Sequence, residues 1–254
     1  MSRTSEPGRS VASRLSDILF AFDFEHTELT LSDIVRRTGL PHATARRLAL
    51  ELADVGALER GADNMFRIGL SLWRLGTLAP NAEMLRTTAQ PFIEDLGTAL
   101  HQHVQLAVLQ GDRAVVIERL SGQNAIALES QVGGLLPLHC SGVGKVLLGH
   151  SSPDFIETVL GGTLRRYTSR TIVDPEVLRK ELAYCRATGT VVVREELSDG
   201  ADSVVTRIVD QRGLVVAALS VVVAAGSIKH QAVVPQLVSS GIGISRALGW
   251  RPGI

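Results

Sequence analysis

Thr30-Leu31-Ser32-Asp33-Ile34-Val35-Arg36-Arg37-Thr38-Gly39-Leu40-Pro41-His42-Ala43-Thr44-Ala45-Arg46-Arg47-Leu48 reads as two short helices joined by a tight turn. Thr30 can cap the first by accepting an amide hydrogen bond, and Asp33, three residues on, puts negative charge where the helix dipole favours it. Leu31, Ile34 and Val35 supply an inner face. Gly39 can take the left-handed conformation that ends a helix, and Pro41 opens the next, where its missing donor does no harm. In the second helix Ala45, Leu48, Ala49 and Leu52 share one stripe. At 100 degrees per residue Ala43, Arg47 and Leu50 point away from it, while Thr44, Arg46 and Glu51 flank it. An outward Leu50 is expected to pack against a dimer partner.

Before this stretch, Val11, Leu15, Ile18, Leu19 and Phe22 form one helical face, followed by a polar break from Asp23 to Glu28. Residues 1–9 are polar and are expected to be a disordered arm. After it, Ala57 to Arg60 and Met65 to Ile68 are strand-like and joined by Gly61-Ala62-Asp63-Asn64, a hairpin. Helix, helix-turn-helix and hairpin predict a winged helix-turn-helix over residues 10–70.

Charge points the same way. Lys plus Arg equals Asp plus Glu at 26 each, which excludes a general polycation but not a local basic patch. Between Asp33 and Glu51 there is no acid, yet Arg36, Arg37, Arg46 and Arg47 all fall there. Arginines neutralise phosphates, and a helix in the major groove reads base edges. The stretch is therefore read as binding double-stranded DNA.

The remainder reads as a second domain, residues 83–254, reached through a linker helix over 71–82. Leu70 to Leu100 reads as largely helical, with Leu72, Leu75, Met84, Leu85, Phe92, Leu96 and Ala99 as candidate buried positions. Pro80 and Pro91 predict two or three pieces, Leu70–Ala79 as the linker helix and Glu83–Leu100 as the second domain's first helix. Strands are expected at Val104–Leu109, Ala114–Leu120, Ala125–Leu128, Thr190–Val193, Ser203–Val209 and Leu214–Val223. Helices are expected at Ser141–Gly149, after a loop containing Pro137, and at Pro153–Leu160, Pro175–Ala187 and Val233–Trp250. Short turns between strands predict a mostly antiparallel sheet with helices on one or both faces, an α+β chain overall. The two cysteines cannot build a disulfide framework. The longest apolar run, Leu214 to Ala225, spans 12 residues, short of the roughly 20 that cross a membrane. A soluble, cytoplasmic protein is expected.

At this point Leu31 to Pro41, followed by Thr44-Ala45-Arg46-Arg47-Leu48, resembles the start of an IclR-family transcriptional regulator. The resemblance continues through Phe66-Arg67-Ile68-Gly69, Leu136-Pro137-Leu138-His139-Cys140-Ser141-Gly142 with Gly144-Lys145, Tyr167-Thr168 to Thr171, Glu195-Glu196 and Ala217-Ala218-Leu219-Ser220. It implies a homodimer or homotetramer whose GAF-like C-terminal domain binds a small organic or aromatic acid. It also implies DNA contacts from Arg36, Arg37, His42, Ala43, Thr44, Arg46, Arg47 and Arg67. An effector pocket is implied at Leu128, Ser141, Gly142, Val143, Val193, Ser203, Ser220 and Val222. Val193, Ser203 and Val222 stand where the family frequently has Asp, Cys and Ser, which predicts a more apolar pocket. Gly142 is expected to let a carboxylate approach the amides that open a helix.

Other motifs fail on chemistry. Gly142-Val143-Gly144-Lys145 resembles the end of a phosphate loop, but His139 and Val146 stand where Gly and Ser/Thr are needed. His139-Cys140 lacks an orienting acid, and His101-x-His103 lacks further metal ligands. Cys185 reads as a buried small hydrophobe. An enzyme with a DNA-binding head would need paired acid and base groups, and Glu195 and Glu196 are adjacent rather than facing. An effector-blind scaffold is the other alternative. No catalytic residue, metal or cofactor is expected, and no membrane partner.

Overall fold

The expected cap at Thr30 forms in full. Its hydroxyl accepts from the Asp33 amide at 3.1 Å, and the Asp33 carboxylate accepts from the Thr30 amide at 3.1 Å. The structure, a computed structural model, describes residues 10–122, 125–126, 130–227 and 230–251. The proposed arm at 1–9 lies outside these. The chain divides into two compact units between Glu83 and Met84.

The first unit contains α1 (Val11–Leu19), β1 (Glu28–Leu29), α2 (Leu31–Thr38), α3 (His42–Asp54), β2 (Leu58–Arg60), β3 (Phe66–Ile68) and α4 (Leu70–Gly76). Gly39 ends α2 at φ +68°, with its amide on the Val35 carbonyl. Ile18, Ile34, Ala45, Leu48 and Ala49 close the core between the three helices. Strand β1 was not expected: two residues carry no alternation to read. It pairs with β3, giving the order β1-β3-β2. Leu50 corrects its own expectation. It is half-buried against this unit's core rather than turned outward. Gly69 lets the end of the wing close on the turn after α3, because a side chain there would lie 2.2 Å from the Gly56 carbonyl.

Helix α5 (Pro80–Leu100) runs through Pro91 without a break, so the chain from Leu70 to Leu100 forms two pieces, α4 and α5, within the two or three expected. An interior proline costs about 3 kcal/mol. Leu85, Ala89, Ile93 and Leu96 are all buried along one stripe of this helix. At about 1.5–3 kcal/mol for each large side chain, that burial offsets the loss. Leu75, Met84 and Ala99 are exposed, not buried.

In the second unit α5 is followed by β4 (His103–Gln110), β5 (Arg113–Leu120), β6 (Leu135–Pro137), α6 (Gly142–Gly149), α7 (Pro153–Leu160) and α8 (Pro175–Thr188). Then come β7 (Thr190–Arg194), β8 (Ala201–Val209), β9 (Val215–Ala224) and α9 (His230–Ala247). The six strands form one antiparallel sheet, β6-β5-β4-β9-β8-β7. One face packs Val104, Leu106, Val204, Leu219 and Val221 against α5 and α9. The other packs Ala107, Val191, Val205 and Ala218 against α6 and α8. Pro137 sits in an edge strand rather than a loop, where a missing donor costs no ladder bond. Ala125 and Ile126 are not in a strand, and Leu128 lies outside the described residues.

Candidate functional site

Helix α3 presents His42, Ala43, Arg46 and Arg47 to solvent, with Thr44 half-buried beside them. The arginines are not equivalent. Arg47 bonds Glu51 one turn on at 2.6 Å, and Arg36 bonds Asp33 at 2.6 Å. Both pairs reach solvent, so each adds little to stability. Arg37 reaches back to Asp23 and is the more buried of the α2 pair. Arg67 is held by Glu28 at 2.7 Å and Asp63 at 2.8 Å, and the two carboxylates push its proton affinity up. Among the described residues no carboxylate pairs with Arg46, which leaves its full charge facing outward.

The effector positions fall into three groups. Val193 pairs with Ser203, Ser203 with Val222, and Val222 with His103, a row across four strands. Ser220 belongs to the next row, Val191-Val205-Ser220-Gln105-Arg119. Alternation puts both rows on the α6 face of the sheet. Gly142 lies against that face, but not as an open approach. A side chain there would meet the Ser203 hydroxyl at 2.4 Å and Val205 at 2.6 Å. Its glycine lets α6 sit close on β8, so the reason given for it from sequence is corrected. Ser141 is the cap of α6: its hydroxyl donates to the Pro137 carbonyl at 2.6 Å and accepts from the Gly144 amide at 3.1 Å. Val143 and Val193 are buried among apolar neighbours. Leu128 lies outside the described residues.

Three polar residues on this face escaped the sequence reading. His103 is buried, whereas His101, two residues before it, is exposed. Gln105 is buried and donates to the Ser130 hydroxyl at 2.6 Å. Arg119 donates to the Ser130 carbonyl and makes a long contact, 3.5 Å, with His103 Nδ1. The other His103 nitrogen meets the Ile126 carbonyl. Burial, reinforced by the Arg119 charge, holds His103 below the usual histidine range. A neutral ring with its proton on Nε2 satisfies both contacts. The Arg119 Nε and the Ser220 hydroxyl are buried without a hydrogen-bond partner. The usable signal was alternation: His103 and Gln105 interleave with Val104 and Leu106 in a strand buried on both faces.

The phosphate-loop lookalike has another explanation. Lys145 is fully buried and bonds Glu181 at 2.8 Å and Glu196. Burial pushes the Glu196 carboxyl up, against the pull of Lys145. Glu196 also accepts the Ile172 amide at 3.2 Å, and Thr168 and Thr171 bond the backbone of residues 195–196. These groups tie α6 and α8 to the loop after β7. Glu195 sits at φ +53° in that loop rather than on a strand. His139 donates to or accepts from no acid: its Nε2 lies 2.8 Å from the Arg165 carbonyl. Burial pushes the thiols of Cys140 and Cys185 up to about 12, far from a reactive thiolate.

No described helix is long and apolar enough to cross a membrane. The family model for the IclR helix-turn-helix domain matches residues 11–62, and that for the bacterial transcriptional regulator IclR C-terminal domain matches residues 80–246. The Pca regulon regulatory protein of Pseudomonas putida is 32% identical over 206 residues, 80% of this chain and 70% of that protein. The regulator XynR of Escherichia coli K12 is 28% identical over 242 residues, 93% of this chain and 96% of that one. Among solved structures, an IclR homologue from Microbacterium hydrocarbonoxydans complexed with 4-hydroxybenzoate superposes with a TM-score of 0.88. It is 36% identical, covering 94% of this chain and 99% of that one. With both halves matched in order, this chain belongs to the IclR family of DNA-binding bacterial transcriptional regulators.

Proposed function

We propose that the second unit binds a small, partly apolar organic acid, and that binding it changes how α3 engages an operator. Arg36, Arg37, His42, Ala43, Thr44, Arg46, Arg47 and Arg67 are the proposed DNA contacts, used by a cytoplasmic homodimer or homotetramer. The observation that carries the effector reading is the polar strip on the buried α6 face of the sheet. A core gains nothing from placing His103, Gln105, Ser203 and Ser220 among valines. A ligand-binding face uses them for orientation, with valines supplying the contact area. The relative that carries 4-hydroxybenzoate supports an aromatic acid as the first compound to try.

The test has two stages. Duplexes selected by the protein from a random pool define the operator. The melting temperature and operator affinity are then measured with 4-hydroxybenzoate, benzoate, salicylate and mandelate. The expected result is a rise in melting temperature with at least one acid, and a change in operator affinity at the same concentration. No response to any acid in either measurement would leave the scaffold reading in its place.

A further inference from the structure

The effector positions read from sequence include no positive charge, and the proposed acid needs one. Two cationic side chains near them are already committed. Lys145 is enclosed between Glu181 and Glu196. Arg207, on the same face as Val205, sits beyond the C-terminal end of α6, where it meets His150 Nε2 at 3.2 Å. The amides that open α6 are a poor alternative. The Gly144 amide is taken by Ser141, and Gly142 backs onto Ser203 and Val205.

Arg119 is different. It shares a row with Gln105 and Ser220, and no carboxylate pairs with it among the described residues. Its hydrogen bonds go to one neutral carbonyl and one neutral ring, and its Nε is buried without a partner. A guanidinium has five donors, so the contacts it makes leave a side edge with unpaired donors, Nε together with a terminal nitrogen. That edge matches the two oxygens of one carboxylate. Ser220, two strands away in the same row, has the other unpartnered polar atom. Neighbouring strands lie about 4.8 Å apart, so the two backbones are roughly 10 Å from each other. Val193 and Val222 in the adjoining row are apolar.

We propose that Arg119 anchors the effector's carboxylate through this unpaired edge, and that Ser220 takes a hydroxyl or carbonyl at the molecule's far end. The ligand class is a flat monocarboxylate with a polar group opposite the acid. A second carboxylate would find no free cation among the described residues of this row, because His103 is neutral and Lys145 is enclosed. This rests on the effector reading above and adds to it the group that makes the site acid-selective.

The experiment uses calorimetric titration of the full-length protein with the same four acids, each beside its primary amide. Wild type should bind at least one acid ten times or more tightly than its amide. Arg119→Gln should erase that preference, binding acid and amide alike, while its melting curve and operator binding stay those of a folded protein. Arg119→Lys, which keeps the charge without the fork, should retain part of the preference and serves if the glutamine variant fails to fold. Ser220→Ala should narrow the preference for 4-hydroxybenzoate over benzoate. If wild type prefers the acid and both Arg119 variants keep that preference in full, the carboxylate is held elsewhere and the effector reading survives without this anchor. If wild type binds an amide as well as its acid, the site is not acid-selective and the proposal fails. If wild type binds none of the eight compounds, the effector reading fails and the anchor with it.

Discussion

Lys145 shows how much one buried side chain can carry. A fully enclosed ammonium is tolerable only because Glu181 and Glu196 face it. Taking it away leaves Glu196 ionised in a place water does not reach, or protonated at a cost. Lys145→Met should therefore destabilise the second unit by about 3–5 kcal/mol, measured by urea unfolding. Adding Glu196→Gln to the same chain should recover part of that loss, because the orphaned charge is then gone. If the double variant is no better than the single one, the damage comes from packing rather than from charge. Sequence alone offered Lys145 only as a failed phosphate-loop lysine. Its partners stand 36 and 51 residues downstream, beyond any local pattern.

At the scale of elements, α3 matters for the arginines it exposes and α6 for the small residues that let it sit close on the sheet. On α3 the arginines differ in how far they are already neutralised. Arg46→Ala should weaken DNA binding and lower the salt slope of log affinity by about 1, the loss of one phosphate contact. Arg67→Ala should change the slope by less, because Glu28 and Asp63 already neutralise that guanidinium. Affinities measured across a salt series decide this, and equal slopes for the two variants would refute it. On α6 the constraint is steric. Gly142→Ala places a methyl against Ser203 and Val205, and should cost about 1–3 kcal/mol as an overpacked contact between helix and sheet. A thermal melt matching wild type would mean that α6 can lift from β8 without penalty.

Across the whole molecule, the two units should respond to acid in different windows. His103, His139 and His150 all lie in the second unit, and burial holds each below the ordinary histidine value of about 6.5. The unfolded chain takes up protons first, so their contribution is complete above about pH 6.5 and is lost as pH falls through the folded values. In the first unit the lowered groups are carboxylates. Asp23 is held down by His26 and Arg37 against its burial, Asp33 by Thr30, and Asp63 by Arg67. Their contribution is lost only as pH falls below the ordinary aspartate value of about 3.8. Trp73 lies in the first unit and Trp250 in the second. In a Trp73→Phe variant, the melting reported by Trp250 should fall between pH 7 and pH 5. In Trp250→Phe, the melting reported by Trp73 should hold until below about pH 4. Parallel curves would mean that the units unfold together or that the histidines do not titrate separately.

Local chemistry determined a good part of this protein from sequence alone. The Thr30–Asp33 cap, the Gly39 stop and the apolar stripe of α3 involve residues within one or two helical turns of each other, so their spacing is their geometry. The same holds for the helix starts at Pro153 and Pro175. What tertiary structure decided was everything that depends on separation in sequence. The two-residue β1 exists only because β3 is there to pair with it. Pro91 stays helical because a sheet buries the stripe beside it. Leu50 turns inward because its own unit offers apolar contact. The polar strip forms because register, a long-range property, aligns Arg119 and Gln105 with Ser220 across three strands. A hydrogen bond or ion pair between distant residues leaves no period in the chain, and only the packed sheet brings such residues into one row.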